Sequence, residues 1–225
     1  MRAVIASQVA GRTRSAPLPT LACPVWMVRT VAEIGYEWIE LSPREEFMPF
    51  FLHPRADDEK VAELKTVLRE TGVQPASVLP LYKWSSPDET ERQAAVRYWK
   101  RMIEVTAELG CELMNSEFNG RPERAAESEA AFWRSLEELL PVFEREGIAL
   151  NLEAHPDDFC EVNDPAVDLQ HLDIGQGEVD WDAFFGTLRD TGFDGVATVC
   201  VFAWEERAVE SSKFMLDRVT KELAG

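Results

Sequence analysis

No stretch of this chain approaches the roughly 20 consecutive apolar residues that a helix needs to cross a bilayer, so no membrane span is expected. Met1 to Pro17 carries arginines but no continuous apolar core leading to a cleavage site, which predicts no signal peptide. Cysteine is sparse and dispersed. Cys23, Cys111, Cys160 and Cys200 form no CxxC pair, as expected of reduced thiols in a cytoplasmic protein. Positive charge is also in short supply. Lys and Arg number 23 against 41 Asp and Glu, leaving a net charge of −18. That balance argues against a nucleic-acid partner, which relies on clustered cations, and against an anionic membrane surface. What remains is an ordinary globular mixture, 45% hydrophobic and 28% charged over 225 residues. It is enough chain for one large domain or two small ones, and residues 1–225 read as a single domain.

The organisation is a repeat of strand, helix and glycine. Arg2 to Ser7 reads as a strand, and Gln8 to Thr20 as a loop. Val25 to Ile34 reads as a helix, Tyr36 to Leu41 as a strand, and Ser42 to Asp57 as a long loop. Asp58 to Thr71 is an amphipathic helix with Val61, Leu64, Val67 and Leu68 on one side. Val73 to Leu81 is a strand, Pro87 to Leu109 a helix capped near Ser86, and Cys111 to Ser116 a strand. Ser128 to Glu146 is a helix, followed by the strand that opens at Ile148. The joints Gly35-Tyr36, Gly72-Val73, Gly110-Cys111 and Gly147-Ile148 lie 37 or 38 residues apart. Repeated βα units predict a parallel sheet with right-handed crossovers. Long loops after the strands and short ones before them match the TIM-type (β/α)8 barrel, an α/β fold with function at the C-terminal strand ends.

Beyond Phe159 the rhythm breaks. Cys160 to Gln176 contains no convincing unit. Asp180 to Thr191 then reads as a helix, Gly195 to Val201 as a strand and Glu205 to Leu223 as a last helix. Six strands are found where a barrel takes eight, so about two βα units are missing between Phe159 and His171. An incomplete sheet exposes two edges, a liability unless a partner covers them, for instance in a homo-oligomer.

The most informative stretch runs from Ile148 to Phe159. Strand alternation puts Ile148, Leu150 and Leu152 on a face suited to packing helices, and Ala149, Asn151 and Glu153 on the other. His155 and Asp157 continue that second face only if the backbone stays extended past Pro156. Glu40 ends the second strand, Glu117 follows the fourth and Glu153 ends the fifth. Parallel strands would gather these three acids at one end of one sheet. Such carboxylates can hold a divalent cation, or divide acid and base roles between them. The plainer alternative pairs Glu40 and Glu117 with Arg44 and Arg121 as loop acids. Asn115, Asn119 and Arg121 read as a cradle for a polyol or an anionic group. Lys83 and Trp84 follow the third strand, with Trp84 either a stacking platform for a sugar or a loop-packing residue. His53 reads as a structural or lid residue rather than a ligand. Gly175 and Gly177 would permit a close ligand approach, and Asp180 would cap the following helix.

Four stretches carry a resemblance. Gly35 to Leu41, Asn115 to Glu123, Asn151 to Phe159, and Gly175-Gln-Gly-Glu-Val-Asp-Trp181 resemble the xylose-isomerase-like TIM barrels, which include sugar phosphate isomerases and epimerases. The resemblance implies one divalent cation (Mn, Mg, Zn or Co) held by acids and a histidine at the ends of strands five to eight. Glu153 matches the first of those ligands, with His155 the nearest further candidate. The sixth- and seventh-strand ligands fall in the missing stretch, and Thr198 and Cys200 stand where the family usually has a glutamate on the last strand. Metal is therefore expected in a complete form of the barrel, and weak or absent binding in the chain as it stands.

The expected activity is a sugar or polyol isomerase or epimerase, on a substrate with or without a phosphate, working by metal-assisted proton abstraction next to a carbonyl. Glu153 and Glu117 are the expected acid/base residues. Glu40, Lys83, Trp84, Asn115, Asn119, Arg121 and His171 are the expected substrate contacts, and Glu153 and His155 the expected metal ligands. Two other readings share the barrel: a lyase or dehydratase that begins with the same proton abstraction, and a non-catalytic remnant without a full metal site.

Overall fold

The structure is a computed structural model that describes residues 2–6, 24–42, 58–153, 172–177, 179–199 and 207–224. Among them are six strands and six α-helices in near-strict alternation: β1 (Arg2–Ala6), α1 (Pro24–Ile34), β2 (Trp38–Leu41), α2 (Asp58–Thr71), β3 (Gln74–Val78), α3 (Glu89–Glu108), β4 (Leu113–Glu117), α4 (Ala125–Glu146), β5 (Ala149–Glu153), α5 (Trp181–Asp190), β6 (Val196–Val199) and α6 (Ala208–Ala224). Every pairing described between strands is parallel. No described helix is long and apolar enough to cross a membrane.

The chain divides into two compact units. One comprises Met1–Leu41, Thr66–Ala76 and Asp168–Gly225. Here β1 lies between β2 and β6, with Ala6 opposite Glu40 and Ile5 opposite Val199. The Gln74 amide donates to the Glu37 carbonyl at 2.9 Å, bringing the start of β3 alongside. Ile174, Phe185, Val199, Met215 and Val219 form a core in this unit, with Trp181, Leu188 and Leu223 packed against it. The Tyr36 hydroxyl donates to the Ser212 carbonyl at 2.9 Å, tying the start of β2 to α6. Burial pushes the pKa of that phenol well above its usual value.

The other unit comprises Ser42–Lys65 and Ser77–Val167. Val78 of β3 faces Met114 of β4, and β4 pairs with β5 from Leu113 opposite Ala149 to Glu117 opposite Glu153. Along β4, Met114 and Ser116 are buried while Leu113, Asn115 and Glu117 are partly open. This is the alternation a half-buried strand requires. Helices α3 and α4 supply Trp99, Met102, Ile103, Phe132, Leu139 and Phe143 to the interior. They are also joined through Arg92, which is only 2% exposed. Its guanidinium donates to Ser135 Oγ at 3.0 Å and to Glu138 at 2.8 Å, so the buried cation has both a charge partner and hydrogen bonds.

The glycine joints do what the sequence pattern predicted. Gly147 closes α4 at φ 68°, and its amide bonds the carbonyls of Glu144 and Phe143. A residue with a Cβ reaches that left-handed conformation only at a cost, so glycine stops the helix and turns the chain into β5.

Several local expectations need correction. The cap of α3 is Asp88, whose carboxylate accepts from the Glu91 amide at 2.9 Å, and not Ser86. β3 is shorter than the apolar run suggested, because the chain leaves the sheet at Leu79. A 3-10 turn, Pro122–Arg124, begins α4 earlier than the sequence pattern indicated. Leu152 was expected under helices but is 40% exposed. The stretch between Phe159 and His171, where about two βα units are expected to be missing, lies outside the described residues, as does His53.

Candidate active site

Two of the three expected acids meet in one place. Glu117 and Glu153 are the final residues of β4 and β5 and stand opposite each other in the parallel register. Neighbouring strands run about 4.8 Å apart, so two carboxylates start from adjacent backbones on one face of the sheet. Two residues earlier the same face carries Asn115 opposite Asn151, with Asn151 Nδ2 donating to Asn115 Oδ1 at 3.3 Å. The result is a short ladder of two amides followed by two acids, ending at the C-terminal edge of the strands. Glu40, expected at the end of the second strand, is the penultimate residue of β2, which runs on to Leu41. It is 5% exposed and belongs to the other unit.

The loops after β3 and β4 are fastened to each other. Trp84 Nε1 donates to the Glu117 carbonyl at 3.0 Å, and the Ser85 hydroxyl bonds the Phe118 carbonyl. Ser116 Oγ reaches the Pro80 carbonyl at 3.3 Å. Asn119 takes the left-handed conformation at φ 55°, and its amide donates to Glu117 Oε2 at 3.4 Å. A short polar residue tolerates that conformation better than most, and here the turn sends the amide back toward the strand-end acid.

Trp84 corrects the sequence reading. It is 0% exposed, stacked on Trp99 at 4.4 Å and met edge-on by Phe132 at 5.2 Å. Both contacts are with core aromatics, so it is a loop-packing residue and not a sugar platform.

Arg121 and Lys83 converge on an acid the sequence reading did not single out. Lys83 Nζ lies 3.0 Å from Glu91 Oε1, and Arg121 Nη2 lies 3.3 Å from Glu91 Oε2. Ser86 Oγ donates to the same Oε2 atom. Burial raises the Glu91 pKa, but the Ser86 and Lys83 hydrogen bonds and the two cations outweigh it, and the net shift is downward. The Asp88-x-x-Glu91 spacing was visible as a capping box. In such a box the glutamate returns to the cap residue's own amide. Here that amide goes to Ser86 Oγ at 3.1 Å, which leaves the Glu91 side chain for the two cations.

For a divalent cation, Glu117 and Glu153 are the right kind of donor, hard oxygen at the end of strands. Among the described residues, however, no group of three His, Cys, Asp or Glu side chains comes together. His155, Asp157, His171 and Cys200 lie outside the described residues. Among the described residues, two carboxylates fall short of the three or more protein ligands such a site normally takes.

The family model described as xylose isomerase-like TIM barrel matches residues 28–170 and 162–218. The chain belongs to this family. The two matched segments meet over 162–170, inside the interval where the strand–helix rhythm of this family member breaks. Solved structures agree in fold. D-allulose 3-epimerase from Methylomonas sp. aligns at 15% identity over 99% of this chain and 98% of that one, with a TM-score of 0.69. D-psicose 3-epimerase crystallised with D-tagatose, from Clostridium cellulolyticum H10, aligns at 14% identity over 99% of each chain, with a TM-score of 0.68. The IolI protein with a bound zinc atom aligns at 14% identity over 100% of this chain and 98% of that one, with a TM-score of 0.71. No curated protein sequence matches the chain.

Proposed function

We propose that this family member is a sugar or polyol isomerase or epimerase that moves a proton at the carbon next to a carbonyl. The observation that carries the reading is the pairing of Glu117 with Glu153 at the C-terminal ends of β4 and β5. In TIM barrels that end holds the chemistry. A carboxylate pair can divide the work: Glu153 takes the proton from the carbon, and Glu117 delivers a proton to the resulting enediolate. Asn115, Asn151 and Asn119 are suited to hydroxyl groups, since each amide both donates and accepts. The similarity to sugar 3-epimerase structures supports the substrate class.

Glu40 and His171 stay in the proposal as substrate contacts on sequence grounds alone. Metal assistance also rests on the resemblance, with Glu153 the described residue that would contribute to it. A bound cation would polarise the carbonyl.

The test is incubation with unphosphorylated and phosphorylated ketoses in deuterated water, followed by NMR of the products. Deuterium should enter at the carbon next to the carbonyl. Glu153→Gln should lower that exchange by about 100-fold or more, the scale of a lost general base. A dehydrated product would identify a lyase instead, and no exchange with any sugar would leave a barrel without this activity.

A further inference from the structure

We propose that Glu91 sets the charge class of the substrate, occupying the two cations an anionic group would need and so restricting the site to uncharged sugars or polyols. The inference rests on the isomerase or epimerase reading for its substrate, though not for its test.

Lys83 follows β3 and Arg121 follows β4, so both stand on loops that leave the C-terminal ends of the strands. A lysine and an arginine converging in such loops are the ordinary means of holding a phosphate or carboxylate. In this chain the convergence is already filled. Both carboxylate oxygens of Glu91 are engaged, one by Lys83 at 3.0 Å and the other by Arg121 at 3.3 Å and by Ser86. The acid has moreover been diverted from its usual local role, since the amide it would cap is held by Ser86. Its depressed pKa keeps it ionised at neutral pH, so the occupant does not leave by protonation. The same two loops are fastened to the backbone of Glu117 and Phe118, and Glu117 stands beside Glu153. A phosphate entering here would have to displace the Glu91 carboxylate from both cations. An uncharged sugar meets no such penalty, and the amides of Asn115 and Asn119 can bind its hydroxyls.

The experiment compares binding of D-fructose, D-fructose 6-phosphate and inorganic phosphate to the wild-type chain and to Glu91→Gln, by calorimetry or ligand-observed NMR. No turnover is needed. The wild type should bind the neutral ketose in preference to its phosphate. Glu91→Gln should gain roughly ten-fold or more in affinity for both phosphates, the size of a released charge pair, and should lose that gain when Arg121→Gln is added. A wild type that prefers the phosphate overturns the proposal, whether or not the variant folds. So does a Glu91→Gln protein with native near-ultraviolet circular dichroism and no gain for phosphate. A chain that exchanges no sugar proton but gains phosphate affinity on Glu91→Gln overturns the proposed activity and upholds this role.

Discussion

The indole nitrogen of Trp84 donates to the backbone carbonyl of Glu117 across 3.0 Å. The acid at the end of β4 is therefore anchored by a side chain that is itself sealed in the core. The anchor has its own support, because Ser135 Oγ donates to the Trp84 carbonyl at 2.7 Å and accepts from Arg92 at 3.0 Å. Trp84→Phe keeps most of the packing and leaves the Glu117 carbonyl without this donor. The same carbonyl also accepts from Ser116 Oγ at 2.9 Å, so we expect a loss of about 0.5–1.5 kcal/mol, the net worth of one hydrogen bond, and slower sugar exchange. Trp84→Ala also opens a cavity and should cost about 3–5 kcal/mol. Urea unfolding at neutral pH checks both. A Trp84→Phe protein with wild-type stability would show that the bond contributes nothing.

Any divalent cation that this chain holds is expected to depend on Glu153, which both the strand-end position and the family resemblance select. Calorimetry with Mn²⁺ and Zn²⁺ should show weak binding, reduced further in Glu153→Ala. Tight binding that survives Glu153→Ala would place the metal elsewhere.

Acid stability should have a contribution from the start of α3. Hydrogen bonds from Arg92 and then Gln93 hold the Glu89 carboxyl down at about 2, against an ordinary value of 4.5. A carboxylate with a depressed folded-state pKa stabilises the fold above its unfolded value and loses that contribution as pH falls toward the folded one. Glu89→Gln should therefore be less stable than wild type at pH 7, and the difference should shrink between about pH 4.5 and 2. Urea midpoints across that range give the comparison. A constant difference would mean that the ion pair is not the cause. Glu89 is largely exposed, so the effect should be small and weaken with salt.

Asp173 lies 3% exposed before the Gly175 turn, with Ser211 donating to one oxygen and Arg207 Nη2 3.1 Å from the other. Ser211→Ala takes one donor from a buried charge and should cost about 1–3 kcal/mol. Thermal unfolding of the variant measures it. Asp173→Asn should recover part of the loss in a Ser211→Ala background, because the neutral amide needs less compensation.

What the sequence determined by itself was periodicity and punctuation. Alternating apolar positions gave the strands, the wider helical spacing gave the helices, and the glycine joints located four turns between them. The parallel family fold followed from their order. So did the strand-end placement of Glu117 and Glu153, because parallel strands of a βα repeat all present their C-terminal ends together. Local capping was only partly legible. Asp180 caps its helix as its position predicts, accepting from the Ala183 amide at 3.0 Å, whereas the cap of α3 falls on Asp88, two residues past the expected Ser86. Tertiary structure decided the roles that depend on residues far apart in the chain. Trp84 looked available to a sugar until Trp99 and Phe132 closed over it. Glu91 drew no attention in the sequence, and only the fold brings Lys83 and Arg121, from two different loops, onto its carboxylate. Neither contact has a sequence period to reveal it. Each is the outcome of packing and charge pairing across loops, where a side chain's partner is fixed by the fold rather than by its neighbours along the chain.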